Sequence, residues 1–374
     1  MNIELPISKS IANRLLILQA TYGDGLMTVS ADLPDDVQIL HRALTTLRTS
    51  KTLLTPHINV GNCGTAMRFL TAYCAQLEGQ TTILEGVERM HHRPISQLVD
   101  ALREIGAEIE YLGEEGYPPL CIKGCILDKH RIVTINNPQS TQFVSALLLI
   151  GAHVQTNSTS PYITLTRTLI EQYALASSPN RLSPLVLERD WSSAAFWYEY
   201  VALHGGEITL PGLYKDSLQG DKVVADIFAH LGVHTQYTTE GITITKNKDE
   251  EFLIQQPKQL YPTTLRGNQH PAAPREKAND ILSYDFSACP DLYPAVALTC
   301  ERLGIKLHAT GVESLPLKES DRLRAVREHR TDADHRMAMA LLVAGYEVDD
   351  TDCISKSYPQ FLEHFHRINT LKLQ

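Results

Sequence analysis

The chain has 374 residues, 43% of them hydrophobic, and a formal net charge of −9 at pH 7, which is length and apolar content enough for two cores rather than one. No run of about 18 apolar residues occurs, and Glu4 and Lys9 interrupt the apolar N-terminus, so the sequence reads as neither membrane-bound nor exported. The acidic balance, without Lys/Arg clusters along any one helix, argues against nucleic acid as the main partner.

From the N-terminus, Ser8-Lys9-Ser10 precedes a stretch in which Ile11, Leu15 and Leu18 share a face. A helix starting there would aim free backbone N–H groups and its positive dipole end, with Lys9, at an anion. An ordinary serine cap with a solvated lysine fits equally well, and Arg14, one turn on, either reaches the same anion or solvates the helix. Gly61-Asn62-Cys63-Gly64-Thr65 likewise opens a helix carrying Met67, Phe69, Leu70 and Tyr73. Its glycines allow close backbone approach to a ligand, although a plain turn and cap explains them too.

After Arg93-Pro94, the residues Ile95, Leu98, Val99, Leu102 and Ile105 keep helical spacing, with Pro94 in the first turn and Gly106 closing the helix. Cys121 and Cys125 lie on an alternating run and read as half-buried reduced thiols, which suits the cytoplasm. Asn137-Pro138-Gln139-Ser140-Thr141-Gln142-Phe143 is a third helix start, with hydroxyls and amides that ordinarily mean capping. Apolar-Gly-apolar corners at Gly106, Gly151, Gly232 and Gly304, and in looser form at Gly206 and Gly345, end helical stretches and lead into alternating, strand-like residues. The fold therefore repeats a helix-then-strand unit. From about 246 to 280 the chain is polar, carries Pro257, Pro262, Pro271 and Pro274, and predicts an exposed loop.

Near the C-terminus, Lys318-Glu319-Ser320-Asp321-Arg322 concentrates charge as a solvated helix face does, whereas Asp334-His335-Arg336 runs directly into the apolar Met337-Ala338-Met339. Arginine held by such a helix can grip phosphate or carboxylate bidentately. His335 has no histidine at i+4 and no nearby Cys pair, so no metal site is predicted. Eight cations, Lys9, Arg14, Arg68, Arg93, Lys318, Arg322, Arg336 and Lys356, thus sit in anion-binding-like turns of an acidic chain. They point to a small, multiply charged anion.

In this order, and with Arg89-Met90-His91-His92-Arg93-Pro94-Ile95, Gly116-Tyr117-Pro118-Pro119-Leu120, Pro161-Tyr162-Ile163, Asp190-Trp191-Ser192-Ser193-Ala194, Pro290-Asp291 and Ser355-Lys356-Ser357-Tyr358-Pro359, the chain resembles the 5-enolpyruvylshikimate-3-phosphate (EPSP) synthases over nearly its whole length. The resemblance implies a two-domain α/β (α+β) fold of βαβαββ units arranged as two inside-out α/β barrels joined by a hinge. One lobe would span 9–187; the other would combine 1–8 with 188–374.

The resemblance also implies transfer of the enolpyruvyl group of phosphoenolpyruvate (PEP) to the 5-hydroxyl of shikimate 3-phosphate, by a monomer needing neither cofactor nor metal. Lys9, Ser10 and Arg14 would begin both substrate sites, and Gly64, Arg93, Arg322, Arg336 and Lys356 would surround PEP. Ser140, Thr141, Gln142, Asp291 and Lys318 would contact shikimate 3-phosphate, with Thr159 and Tyr162 as further contacts; Asn62, Thr65 and Arg68 would support that pocket, and Gln142 would touch both ligands. Asp291 is implied as the base, and Lys9 and Glu319 as the candidates for delivering a proton to C3. The two substrates bring roughly five negative charges, each phosphate carrying about −1.5 to −2.

Ile7, Ala12 and Ser314 depart from the family pattern locally. The larger departure is the 14-position interval from Arg322 to Arg336, where the family carries a longer segment, so most of one unit of about 30 residues is missing. That could misplace Arg322 against Arg336 or leave a sheet edge bare, giving a second reading: a member that keeps its anion sites but cannot close. The sister family acting on UDP-N-acetylglucosamine usually places a reactive cysteine near residues 89–93, and this segment has none.

Overall fold

The computed structural model describes the whole chain except residue 24 and residues 31–32, 50–54, 177–186, 247–280 and 373–374. The expected loop at 246–280 lies outside the described residues apart from Lys246, which ends a strand.

Two hydrophobic cores form, one from residues between Ile11 and Leu169 and one from Ile3, Leu5 and residues between Trp191 and Ile368. The first is built by α1 (Lys9–Tyr22), α2 (Asp35–Thr49), β1 (His57–Asn59), α3 (Gly64–Ala75), β2 (Thr81–Glu85), α4 (Ser96–Glu104), β3 (Glu108–Tyr111), β4 (Leu120–Lys123), β5 (Ile132–Thr134), α5 (Thr141–Leu149), β6 (His153–Gln155) and α6 (Pro161–Ala176). The second follows with α7 (Trp191–His204), β7 (Gly206–Pro211), α8 (Val224–Ala229), β8 (His234–Tyr237), β9 (Gly241–Lys246), β10 (Ile281–Asp285), α9 (Tyr293–Leu303), β11 (Lys306–Thr310), α10 (Arg322–Glu328), α11 (His335–Ala344) and α12 (Phe361–Lys372). Three helices pack on one another in each core: α1, α3 and α5 in the first, α7, α9 and α11 in the second. Their nearly continuous apolar sequences suit helices surrounded on all sides, as in the wholly buried 337–341 stretch of α11.

The sheets reveal the repeat. In the first core β1 pairs parallel with β2, and β2 pairs antiparallel with β4, which pairs with β3. In the second, Asn2 bridges parallel to Thr209 in β7, and β7 pairs antiparallel with β9, which pairs with β8. One βαβαββ topology thus occurs in both, the second borrowing its first strand from the N-terminus. Each core also holds a two-stranded parallel sheet, β5–β6 and β10–β11, that lacks the hairpin among the described residues.

All six predicted glycine corners have positive φ, from +71° at Gly304 to +100° at Gly106. Five lead into strands; after Gly345 no strand follows among the described residues. The predicted α4 begins two residues beyond Pro94, with Ile95 as its N-cap, and a 3-10 turn over Glu88–His92 precedes it. Between the cores the chain crosses twice, side by side: Ile7 bridges Arg189 antiparallel, Ser8 N–H donates to Glu188 O at 2.8 Å, and Asp190 N–H donates to Pro6 O at 3.0 Å.

Candidate active site

First-turn residues of four helices, Lys9 and Ser10 of α1, Gly64 and Thr65 of α3, Thr141 and Gln142 of α5, and His335 and Arg336 of α11, line one cavity of about 210 Å³ between the cores. Four positive dipole ends facing one space favour an anion before any side chain is counted. Capping explains why three of them start there: Cys63 Sγ accepts from Ala66 N–H, Ser140 Oγ from Gln142 N–H, and Asp334 from Arg336 N–H. Ser8 stands at the N-cap of α1 but its hydroxyl makes no cap bond.

On the wall from the first core Lys9 pairs with Asp36 at 3.1 Å, but the arginines lack carboxylate partners at hydrogen-bond distance. Arg68 donates Nη1 to Gly64 O at 2.9 Å, and its buried Nε has no partner. Burial, followed by the charge of nearby Arg93, pushes the Arg68 guanidinium down to about 9. Arg93 is 7% exposed, lies 3.9 Å from Glu319, and leaves Nε and Nη1 unbonded. A Cβ on Gly64 would stand 2.6 Å from both Arg93 terminal nitrogens and closer still to Arg68 Nη1, so a side chain there would force the two guanidinium groups to shift. Buried donors without acceptors are costly in isolation. Arg14 differs, for its nitrogens bond Thr166 Oγ1, Ser10 O and Ser145 Oγ at 2.7, 2.8 and 3.2 Å, tying α1 to α5 and α6.

The opposite wall pairs its cations. Arg322, 1% exposed, reaches Asp334 at 2.7 Å, Asp291 at 2.8 Å and Glu319 at 3.0 Å. Arg336 reaches the second oxygen of Asp291 at 2.8 Å, Lys318 lies 3.5 Å from Asp291, and Lys356 lies 3.1 Å from Glu319. Burial alone would raise the Asp291 carboxyl, but Arg336, Lys318, Arg322 and Lys9 hold it well below the usual carboxylate range. Glu319 is held down in the same way, against burial, by Lys356, Arg93 and Arg322. His335 is kept neutral by burial and by Lys9, Arg336 and Lys356. Arg336 retains an unbonded Nη1.

The short interval therefore does not pull Arg322 and Arg336 apart, since both grip one carboxylate. The chain closes the distance with a left-handed His329 after α10 and left-handed Asp332 and Ala333 in the turn before α11.

Of the residues singled out in the sequence, Lys9, Ser10, Arg14, Gly64, Thr65, Arg68, Arg93, Ser140, Thr141, Gln142, Tyr162, Asp291, Lys318, Glu319, Arg322 and Arg336 line this cavity. Asn62 and Lys356 instead line an adjoining cavity of about 630 Å³ that shares Glu319 with the first. Thr159 is exposed and lines neither; its neighbour Ser160 takes the place, because Ser160 Oγ accepts from Tyr162 N–H at the start of α6 and Thr159 turns outward. Asp36 escaped the sequence reading. It is 3% exposed, lies 3.1 Å from Lys9 Nζ and leaves Oδ1 unbonded, yet an Asp35-Asp36 pair opening a helix looks like plain dipole compensation. Among the described residues no three metal-ligating side chains gather.

The family model for EPSP synthase (3-phosphoshikimate 1-carboxyvinyltransferase) matches residues 1–329 and 326–365. Its two segments meet where the chain is short. The chain is 34% identical to a 3-phosphoshikimate 1-carboxyvinyltransferase of Bacteroides fragilis, over 96% of this chain and 93% of that protein. It is 29% identical to the protein of the same name from Cellvibrio japonicus, over 98% and 96%. Among solved structures, an EPSP synthase from Acinetobacter baumannii superposes with a TM-score of 0.62 over 98% of this chain and 95% of that one, at 19% identity, which speaks to the fold. With a matching family model over most of its length, the chain belongs to the EPSP synthase (3-phosphoshikimate 1-carboxyvinyltransferase) family.

Proposed function

We propose that the chain transfers the enolpyruvyl group of phosphoenolpyruvate to the 5-hydroxyl of shikimate 3-phosphate and releases phosphate. The observation that carries this reading is the opposition of two walls: buried Arg68 and Arg93 with unbonded donors around Gly64, facing the ionised pair Asp291 and Glu319. Two phosphorylated anions meet the first wall's need for acceptors, and proton transfer needs the second.

The Asp291 carboxylate takes the 5-hydroxyl proton as the oxygen attacks C2 of phosphoenolpyruvate, and C3 gains a proton to give a tetrahedral adduct. Loss of a C3 proton then expels phosphate from C2 and leaves the enol ether. Glu319, ionised here, suits the second proton removal. For the earlier protonation of C3, added negative charge from the substrates raises the affinity of Glu319 for a proton, which Lys356 supplies to it across 3.1 Å and Glu319 passes to C3. Lys9, paired to Asp36, is the alternative donor. Arg336 and Arg93, with unbonded donors, stabilise charge developing on the carboxylate and phosphate.

The proposed lobes, 9–187 and 1–8 with 188–374, act as jaws about the paired strands at Ile7 and Arg189. Seven free thiols fit the cytoplasm, and no helix among the described residues is long and apolar enough to cross a membrane. A catalytically impaired member is the weaker reading, because Arg322 and Arg336 still share Asp291. Steady-state phosphate release decides between them: turnover requiring both substrates is expected, and no release above background at saturating concentrations of each would overturn the proposal.

A further inference from the structure

The short loop at 217–221 touches both the hinge and the substrate cavity. Toward the hinge, Ser217 Oγ donates to Glu188 Oε2 at 2.7 Å, and Gln219 Nε2 donates to Glu188 Oε2 at 2.8 Å and to Arg189 O at 2.7 Å. Gln219 Oε1 also accepts from Trp191 N–H at 3.2 Å, the first residue of α7. Glu188 and Arg189 are the residues that pair with Ile7 and Ser8 where the chain crosses between the cores. A single glutamine therefore binds the crossing strand at two points and the next helix at a third.

Toward the cavity, the same loop meets the start of α6 from the other core. Tyr162 OH donates to Asp221 Oδ2 at 2.9 Å, with Asp221 only 5% exposed. One residue earlier on each side, a Cβ on Gly220 would stand 2.8 Å from Pro161 Cγ, so the lobes meet there without room for a side chain. Tyr162 lines the cavity, its ring lies 6.0 Å from the Arg14 guanidinium, and its backbone oxygen accepts from Arg14 and Thr166. Tyr162 thereby carries the loop's position into the anion site.

We propose that this loop is an interlobe latch: Ser217 and Gln219 set it on the hinge, and Asp221 fixes Tyr162 across the cleft, which makes Asp221 a positioning residue for binding the sugar phosphate. The electrostatics agree with the geometry. Burial, and then the charge of Asp291, push the Asp221 carboxyl up to about 7 against the pull of Arg336 and Tyr162, with Asp190 adding to the rise. A carboxyl so placed accepts from Tyr162 only while the lobes are together. Separating them would break the hydrogen bond and the Pro161–Gly220 contact in one step. The latch rests on the enolpyruvyl-transfer reading for its substrate but not for its contacts.

The test is a double-mutant cycle on purified full-length enzyme, read as kcat and as KM for shikimate 3-phosphate. Asp221→Ala and Tyr162→Phe each raise KM about 10-fold, about 1.4 kcal/mol, with kcat changed far less. The double variant raises it by about the same factor rather than about 100-fold, since both remove one bond. Asp221→Asn keeps a carbonyl acceptor for Tyr162 and brings KM back to within about 3-fold of wild type. Unchanged KM in Asp221→Ala, an additive double variant, or no rescue by asparagine overturns the latch. If Asp221→Ala does not fold, Gly220→Ala replaces it: forcing Pro161 away raises KM, and an unaltered KM overturns the proposal. Wild-type turnover in the same assay separates the two readings, because its absence counts against enolpyruvyl transfer, whereas normal turnover with an indifferent latch variant counts against the latch alone.

Discussion

The two walls of the cavity handle buried charge in opposite ways. On the first, Arg68 and Arg93 are desolvated with donors left unbonded; on the second, Arg322, Arg336, Lys318 and Lys356 are paired to Asp291, Glu319 and Asp334. An unpaired buried guanidinium costs stability that a bound anion restores, so the first wall is built for affinity. A carboxylate held ionised among cations responds when new negative charge arrives, so the second suits the proton movement proposed for it. Burial is common to both, and the partners decide the role.

The largest effect that separates the walls is expected from Asp291→Asn, which removes the proposed base and lowers kcat by about 10³-fold, within the general-base range of about 10²–10⁴; a loss below about 10-fold would assign the base elsewhere. Arg93→Met should raise KM for phosphoenolpyruvate by about 10–100-fold, about 1.4–2.7 kcal/mol. Gly64→Ala crowds the same arginine and is expected to raise that KM by about 10-fold, which steady-state kinetics at several phosphoenolpyruvate concentrations checks. Arg68→Met should raise the ligand-free Tm, by about 2 °C for about 1 kcal/mol gained, and a lower Tm would mean the unbonded guanidinium is not a net cost.

The smallest effect concerns pH. The Asp221 carboxyl titrates near 3.8 when unfolded and near 7 when folded. Folding therefore takes up a proton between those values, and the penalty of burying the ionised form grows from about pH 4 to about pH 7, is complete above and absent below. Asp221→Asn removes it, so the Tm of the variant relative to wild type should climb between pH 5 and pH 7.5. A pH-independent difference would place the titration elsewhere.

Much of this was legible in the residues. The glycine corners announced helix ends because only glycine takes positive φ without cost, and the apolar run after Asp334-His335-Arg336 announced α11 because it has no polar face to spare. Thr159 lies outside the cavity that Ser160 lines, and Thr156-Asn157-Ser158-Thr159-Ser160 offers hydroxyls at nearly every step, so only the start of α6 tells the two apart. Asp36 and Asp221 could not be found by local pattern, because their meaning comes from Lys9 and Tyr162, 27 and 59 residues away in sequence. Arg322 stood out as a cation, but its engagement with three carboxylates became visible only once 291, 319 and 334 were brought together.

The most direct test sets Arg93→Met beside Glu319→Gln and measures kcat and the KM for phosphoenolpyruvate in both. Division of labour between the walls predicts that Arg93→Met loses mainly affinity, and that Glu319→Gln loses about 10²-fold or more in kcat with KM within about 3-fold of wild type. The reverse pattern, with turnover lost at Arg93 and binding lost at Glu319, would contradict it.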